Sequence, residues 1–235
     1  ILKLHGSQHA TCTRRVWTIL HELKVPFELV EVDLAKCEHK TAAHLDKQPF
    51  GQIPFIVSFD DDGFILYETR AICRYITAKH PASGLIPREA KANALFEQAA
   101  AVELTNFDPS AGKIVFEAVL KPLYGMATDA AVVEAQLETL GKKLDAYDVI
   151  LGKQRYVAGD VCLTLADLFH IPYAPMLAVV GGSNIMTKNP DVARCDVLTP
   201  SGKIKFDGPC CRWYNELVAR PWPAYQGGVK TTTVY

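Results

Sequence analysis

The chain has no long hydrophobic run that is free of charge and proline. Its most apolar window, residues 163–182, contains Asp167, His170 and two prolines. Because a membrane-spanning helix needs roughly 20 consecutive apolar residues, we expect no membrane span. Residues 1–4 already alternate like a strand. No basic segment, apolar stretch and cleavage site precede them, so we expect no signal peptide either.

An excess of either charge is also missing. The formal net charge is −1 and the isoelectric point is about 6.7. Nucleic acids and anionic membrane surfaces are bound by basic patches, and we therefore expect neither as a partner.

Cysteine pairs with zinc-type spacing are absent, and the cysteine count is odd. We therefore predict reduced thiols in a cytosolic protein and no metal site. A metal set of Cys37, His39 and His44 has no fourth ligand. The seven cysteines are Cys12, Cys37, Cys73, Cys162, Cys195, Cys210 and Cys211.

Strand and helix signals alternate in the first third of the chain. The order is β-α-β-α-β-β-α, which is that of a thioredoxin-like fold. The predicted strands cover residues 1–5, 27–32, 54–59 and 64–66, and the predicted helices cover residues 11–23, 38–45 and 68–79. In the last of these helices, we expect Ala71, Ile72, Tyr75 and Ile76 to face inward.

Helical patterns dominate the rest of the chain. We predict a domain over residues 1–82, a linker over 83–88 and an all-helical domain over 89–235, that is, an α/β domain followed by an all-α domain. An insertion at about 183–208 is predicted to be a surface loop with a small hairpin. The predicted helices cover residues 88–120, with a kink at Asp108-Pro109, and residues 129–151, 164–180 and 211–218.

Several motifs carry a resemblance that extends over nearly the whole chain. Residues 48–55 run from a turn into a strand, and residues 66–72 end a strand and open a helix with an acid and a hydroxyl. With residues 156–160 and 163–167, they resemble the glutathione transferase family, most closely its phi class. The resemblance implies a thioredoxin-like glutathione-binding domain and an all-helical domain with an acceptor pocket. It also implies a cytosolic homodimer that conjugates glutathione to hydrophobic electrophiles in detoxification.

The resemblance assigns glutathione, as substrate, to main-chain and helix-start groups. A cis peptide between Ile53 and Pro54, preceded by Gln52, would expose the N–H and C=O of Ile53 to the cysteinyl part of the ligand, as in strand addition. Glu68 would bind the ammonium group. Thr69 would bind the γ-glutamyl carboxylate at the helix start, and N-capping by Thr69 is compatible with this role.

The polar stretch around residue 39 supplies the remaining ligand contacts. Cys37-Glu38-His39-Lys40 resembles a family motif that begins with glycine. The resemblance implies that His39 and Lys40 bind the glycyl carboxylate, while Cys37 in place of glycine would alter the local turn.

Ala10 stands where the family has its catalytic serine, and alanine has no donor for the ligand thiol. Three replacements are open: the hydroxyl of Thr11, the first-turn amides of the helix acting alone, or Cys12 as a nucleophile. We rank Cys12 below Thr11, because a small buried helix residue is the simpler interpretation. The main hypothesis is therefore a glutathione transferase that Ala10 makes slow. The alternatives are ligandin-type binding of apolar molecules and a Cys12-dependent thiol transferase.

Three further predictions follow from the resemblance and from the spacing of Thr164 and Asp167. Phe50 corresponds to an aromatic key that inserts between helices of a second subunit, with packing inside one chain as the alternative. Asp167 forms a capping box with Thr164 and has a folding role. The candidates for the acceptor pocket are Val115, Val119, Leu120, Leu123 and Tyr124.

Overall fold

The computed structural model describes residues 1–180 and residue 185, apart from the side chains of Pro175, Ala178 and Val179. The described residues fall into two units, Ile1–Ile86 and a second unit that begins at Pro87. The predicted helix over residues 211–218 lies outside the described residues, as does the predicted insertion except for residue 185.

The N-terminal unit alternates strands and helices in the predicted order. Its strands are β1 (Leu2–Gly6), β2 (Phe27–Glu31), β3 (Phe55–Ser58) and β4 (Phe64–Tyr67). Its α-helices are α1 (Thr11–Glu22), α2 (Ala42–Leu45) and α3 (Thr69–Ala78), and 3₁₀ turns cover Glu38–Lys40, Phe59–Asp61 and Pro81–Ser83.

The described strands of this unit form one sheet in the order β2-β1-β3-β4. β1 runs parallel to β2 and antiparallel to β3, and β3 runs antiparallel to β4. Along β1, Leu2 and Leu4 are buried while Lys3 and His5 keep partial exposure, as expected for side chains that alternate between two faces. This topology confirms the predicted thioredoxin-like fold.

Helices α1 and α3 pack against each other. In α3, Ile72 and Ile76 are buried one turn apart, and they define the apolar stripe. Ala71 was predicted to face inward, but it is exposed. The prediction was wrong because successive helix residues point about 100° apart, given 3.6 residues per turn, so Ala71 lies beside the stripe.

The described part of the second unit consists of helices joined by turns, with one isolated β-bridge between Tyr156 and Gly159. Phe96, Phe107, Ile114 and Phe169 have no exposed surface and form its core. Its α-helices are α4 (Ala90–Val102), α5 (Asp108–Val115), α6 (Lys121–Leu123), α7 (Ala130–Leu151), α8 (Leu165–Leu168) and α9 (Ala174–Val179).

Two π-helical turns interrupt the long helix predicted over residues 88–120. They cover Glu103–Phe107 and Phe116–Leu120, and each ends two residues before a proline, Pro109 or Pro122. Proline lacks an N–H, and its ring collides with the carbonyl four residues earlier. That carbonyl lies inside the π turn in both cases, so the wider turn makes room for the ring. The kink predicted at Pro109 is therefore a π turn, and a second one accompanies Pro122.

The predicted helix over residues 164–180 is broken into α8 and α9. At its start, the buried carboxylate of Asp167 accepts hydrogen bonds from the N–H and the hydroxyl of Thr164, both at 2.9 Å. It also accepts one from the N–H of Val157, at 2.9 Å. The predicted capping box is thus confirmed. Pro172 follows α8 and cannot continue its hydrogen-bond ladder, which explains the break.

Within residues 1–180, none of the helices combines the length and the apolar character needed to cross a membrane.

Candidate active site

Strand register brings the candidate segments to one edge of the sheet. His5 pairs with Phe55, which pairs with Tyr67, so the end of β1, the start of β3 and the end of β4 lie side by side. Neighbouring strands are about 4.8 Å apart. The loop that carries Ala10, the peptide before Phe55 and the residues after Tyr67 therefore converge here.

The main chain at Ile53 is available for a ligand. The Ile53–Pro54 peptide bond is cis, as predicted. Within residues 1–180, neither the N–H nor the C=O of Ile53 has a hydrogen-bond partner. Gln52 is exposed beside it and Pro54 is buried. A half-buried residue with two unused main-chain groups at a sheet edge is a suitable partner for an extended peptide.

The carbonyl groups of Gly51 and Gln52, which precede Ile53, accept hydrogen bonds from side chains in and just before α2. The Lys40 ammonium donates to the carbonyl oxygen of Gly51 at 2.8 Å, and Nε2 of His44 lies 2.8 Å from the carbonyl oxygen of Gln52. Since a carbonyl only accepts, Nε2 carries the hydrogen. Gly51 has φ +59°, and a Cβ there would come within 2.9 Å of the Lys40 nitrogen. Glycine therefore permits this close approach.

The amino end of α3 has no side-chain cap and no acidic residue in its first turn. Glu68 is the N-cap residue and Thr69 is the first helical residue, so the N-capping role suggested for Thr69 is wrong. Glu68 is exposed, with φ +71° and ψ +109°, a backbone conformation that costs a non-glycine residue of order 1–3 kcal/mol. Thr69 is buried beneath it. Unpaired N–H groups at a helix start favour an anion.

His39 and Lys40 lie in the 3₁₀ turn before α2. Burial lowers the pKa of His39 below its ordinary value, and the charges of Lys40 and His44 lower it further. The imidazole of His39 is therefore a neutral partner at neutral pH, and Lys40 is the stronger candidate for a carboxylate. An ammonium group has three donors, so the bond to Gly51 leaves Lys40 able to bind a ligand as well.

Ala10 occupies the N-cap position of α1 and provides no side-chain cap. Its loop is well held: the N–H of Ala10 donates to the carbonyl of Ser7 at 3.0 Å, and the Arg14 side chain donates to the carbonyl of Gln8 at 2.6 Å. Thr11 and Cys12 follow in the first turn, and both are half-buried. The amino end of a second helix therefore faces the converging edge.

The acceptor-pocket candidates differ in exposure. Val115 has no exposed surface and belongs to the core of the helical unit, so its prediction as a pocket residue was wrong. Val119 and Leu120 are half-buried, whereas Leu123 and Tyr124 are exposed. None of the five lines the groove of about 730 Å³ between the second π turn and α7, which involves Phe116, Lys113, Val132 and Ala135.

Phe50 is 65% exposed, and its only described ring contact is an edge-on one with Tyr67, 6.2 Å between centroids. The alternative of packing inside the described part of the chain is therefore not favoured. In the helical unit, a separate pocket of about 150 Å³ has an apolar lining that includes Leu95, Ala99 and Val102.

Sequence reasoning missed His44 and Gly51 as site residues. His44 was considered only as a metal ligand and rejected, yet it is buried and bonded to the main chain beside Ile53. Its place four residues after Lys40, in a polar stretch, was the one available signal. Among the described residues, no group of three or more His, Cys, Asp or Glu side chains is arranged to hold a metal ion.

The protein thus combines a thioredoxin-like unit, in which the main-chain groups of Ile53 are unpaired, with a helical unit that follows it in the chain. Two family models match the chain. "Glutathione S-transferase, N-terminal domain" covers residues 10–79, and "Glutathione S-transferase, C-terminal domain" covers residues 107–192.

Individual relatives agree with these matches. The chain is 46% identical to glutathione S-transferase PM239X14 of Arabidopsis thaliana over 75% of this chain and 82% of that protein. The structure of glutathione transferase F7 from Populus trichocarpa superposes with a TM-score of 0.78 at 34% identity, over 94% of this chain and 95% of the other. Glutathione S-transferase-I bound with lactoylglutathione superposes with a TM-score of 0.78 at 29% identity, over the same shares. The chain belongs to the glutathione S-transferase family and is closest to its phi class.

Proposed function

We propose that the protein is a glutathione transferase that conjugates the glutathione thiol to hydrophobic electrophiles, a detoxification reaction. The observation that carries this proposal is the convergence, at one sheet edge, of the unpartnered Ile53 main chain, the uncapped start of α3 and Lys40. These groups complement an extended tripeptide with two carboxylates and one ammonium. A related structure of the same fold holds lactoylglutathione.

Each group has a defined role in this proposal. The N–H and C=O of Ile53 pair with the cysteinyl residue, with Gln52 and Pro54 framing the peptide. Thr69 and the first amides of α3 bind the γ-glutamyl carboxylate, and Glu68 binds the ammonium. Lys40, assisted by His39, binds the glycyl carboxylate.

Activation of the thiol falls to the start of α1, because Ala10 has no donor. The hydroxyl of Thr11 and the first-turn amides stabilise the thiolate, since a helix amino end favours negative charge. The thiolate then forms a bond to the electrophilic carbon, and a leaving group such as halide departs with the electron pair. Half-buried Val119 and Leu120 remain the acceptor candidates, because each combines apolar character with accessible surface.

Glutathione titration calorimetry, combined with turnover of an aryl halide, tests this function. We expect binding and measurable conjugation, and we expect Thr69→Val to weaken glutathione binding more than Thr69→Ser, which keeps the hydroxyl. Binding without turnover would indicate the ligandin-type role instead. Disulfide reduction that disappears in Cys12→Ser would indicate a thiol transferase. A protein that does not bind glutathione at millimolar concentration would refute the proposal.

We also propose that the protein forms a homodimer in which Phe50 of each copy enters the helical-unit pocket of the other. The supporting observations are the exposure of Phe50 and the volume of that pocket, about 150 Å³. An apolar cavity of about 150 Å³ accommodates a benzene ring. Burying a phenylalanine contributes about 1.5–3 kcal/mol, and a two-fold interface uses it twice.

Sedimentation velocity of Phe50→Ala tests the dimer. Two lost side chains correspond to about 3–6 kcal/mol, or a dissociation constant raised by roughly 10²–10⁴. Phe59→Ala is the matched control, because Phe59 is a similarly exposed phenylalanine of the same unit, at 55% exposure. A Phe50→Ala protein that dimerises as tightly as the control would contradict the proposed contact.

A cytosolic location is our remaining proposal. Cys12, Cys37 and Cys73 form no disulfides, in keeping with a reducing compartment. Cell fractionation with a compartment marker tests it.

A further inference from the structure

None of the ligand contacts proposed above is assigned to His44, yet it makes a specific contact at the proposed site. The residue is only 7% exposed. Its Nε2–H donates to the carbonyl of Gln52 at 2.8 Å, and its ring packs edge-on against Phe55 with centroids 5.2 Å apart. Phe55 begins β3. His44 is therefore fixed on one side by the sheet and bonded on the other to the loop before it.

The carbonyl of Gln52 and the N–H of Ile53 belong to the same peptide unit. This unit is trans, since the cis bond at this position is the next one along the chain. In a planar trans peptide, the C=O and N–H point in opposite directions. A donor that fixes the direction of the Gln52 carbonyl thus fixes the direction of the Ile53 N–H, which points away from His44.

We propose that His44 is a positioning residue for glutathione: its hydrogen bond to Gln52 orients the peptide plane so that the Ile53 N–H is aimed at the bound tripeptide. The inference rests on the proposed function. The same hydrogen bond polarises the peptide and strengthens the opposite N–H as a donor.

The other hydrogen bonds in the loop restrain neighbouring peptide units, so His44 is the side chain that restrains the peptide unit between Gln52 and Ile53. Lys40 holds the Gly51 carbonyl, and the N–H of Gly51 donates to the carbonyl of Gln48 at 2.9 Å. The N–H of Gln52 reaches the Gln48 side chain at 3.4 Å, which is longer than an ordinary N–H···O bond. Without the histidine donor, the peptide between Gln52 and Ile53 has no strong restraint from its own loop.

Two substitutions distinguish the effect of the His44 hydrogen-bond donor from the effect of its aromatic ring. His44→Phe keeps an aromatic ring against Phe55 and removes the donor, while His44→Gln keeps an N–H near the position of Nε2. We expect His44→Phe to raise the Kd and the KM for glutathione about fivefold to tenfold. Because the proposed hydrogen bond orients only the main chain that pairs with glutathione, kcat and the KM for an aryl halide should change less than about twofold. His44→Gln should recover most of the glutathione affinity.

A measurement with bound ligand completes the test. Saturating glutathione should slow amide hydrogen exchange at Ile53 in the wild-type protein and in His44→Gln, and should slow it less in His44→Phe. Equal glutathione affinity in the wild type and His44→Phe would overturn the inference and leave the transferase proposal intact. An equal loss in both variants would assign the effect to the ring and also overturn it. If the wild type itself fails to bind glutathione, the proposed function fails and the positioning role falls with it.

Discussion

Replacing Ala10 with serine tests how the thiol is activated. Ala10 is the N-cap of α1 with φ −80° and ψ 127°, and no side chain caps the helix. This extended conformation suits serine, which is a favoured N-cap residue. The backbone therefore needs no change to accept a hydroxyl at the position that faces the converging edge of the sheet.

The size of the effect follows from one charge-assisted hydrogen bond. A donor to a charged acceptor contributes about 1.5–3 kcal/mol, which lowers the pKa of the glutathione thiol by about 1–2 units. From a free value of about 8.5, the thiolate fraction at pH 7 would rise from about 3% to about 25–75%. This gain is an upper limit, because Thr11 and the first-turn amides already stabilise part of the thiolate in the protein with Ala10. We therefore expect Ala10→Ser to conjugate an aryl halide roughly tenfold faster at pH 7.

The pH profile of kcat/KM is the assay that isolates this cause. The gain should shrink above about pH 9, where both proteins hold a mostly ionised thiol. Ala10→Gly is the control, because glycine is also accepted as an N-cap but supplies no donor. The new hydroxyl could instead cap α1, which would raise the thermal unfolding midpoint and leave the rate unchanged.

Three results would refute the reasoning on the thiol: a gain that is equal at all pH values, the same gain in Ala10→Gly, or no gain although glutathione binds. The last result would show that the first-turn amides and Thr11 already stabilise the thiolate fully.

Two further predictions concern stability. Cys37→Gly should raise the free energy of unfolding by up to about 1 kcal/mol, because Cys37 has φ +56° and glycine adopts this conformation without strain. Chemical denaturation measures the change, with Cys37→Ser as the control. A smaller gain for glycine than for serine would contradict the strain argument. Burial, with smaller contributions from Lys47, Lys3 and His44, lowers the pKa of His5 from 6.5 to about 4. Between these two pH values, the unfolded chain therefore binds more protons than the folded protein. The stability that His5 contributes above about pH 6.5 is lost as the pH falls to about 4. The loss attributable to His5 is about 1–2 kcal/mol after allowance for its partial exposure. His5→Phe, which preserves the stack on Phe55, should flatten the dependence of the unfolding midpoint on pH, and an unchanged slope would rule out this assignment.

The sequence predicted those features that depend on local pattern. Alternation and turn residues located the strands to within two residues, and the acid three residues after Thr164 identified the capping box. The cis peptide at Ile53 followed only from the family resemblance, because proline spacing alone favours the trans form.

Features that depend on tertiary register were not predicted. The approach of Lys40 and His44 to the carbonyls of Gly51 and Gln52 requires the fold of a whole polar loop, and no periodicity marks it. The break before α9 was missed because helical periodicity outweighed Pro172 in the sequence pattern. Thr69 was assigned a cap because serine and threonine lead at that position, whereas the chain places Glu68 there in a strained conformation.

The π turns before Pro109 and Pro122 change the angular phase of the long helix. Each adds a residue to one turn, since its hydrogen bonds span five residues instead of four, and every later side chain is rotated around the axis relative to an uninterrupted helix. A helical wheel drawn with 3.6 residues per turn therefore misplaces the side chains that follow the second π turn. Along this interrupted helix, Val115 lies in the core, Leu120 is half-buried and Leu123 is exposed. Deleting one residue within Phe116–Leu120 would rotate the side chains of α6 around the helix axis and leave those of α5 where they are.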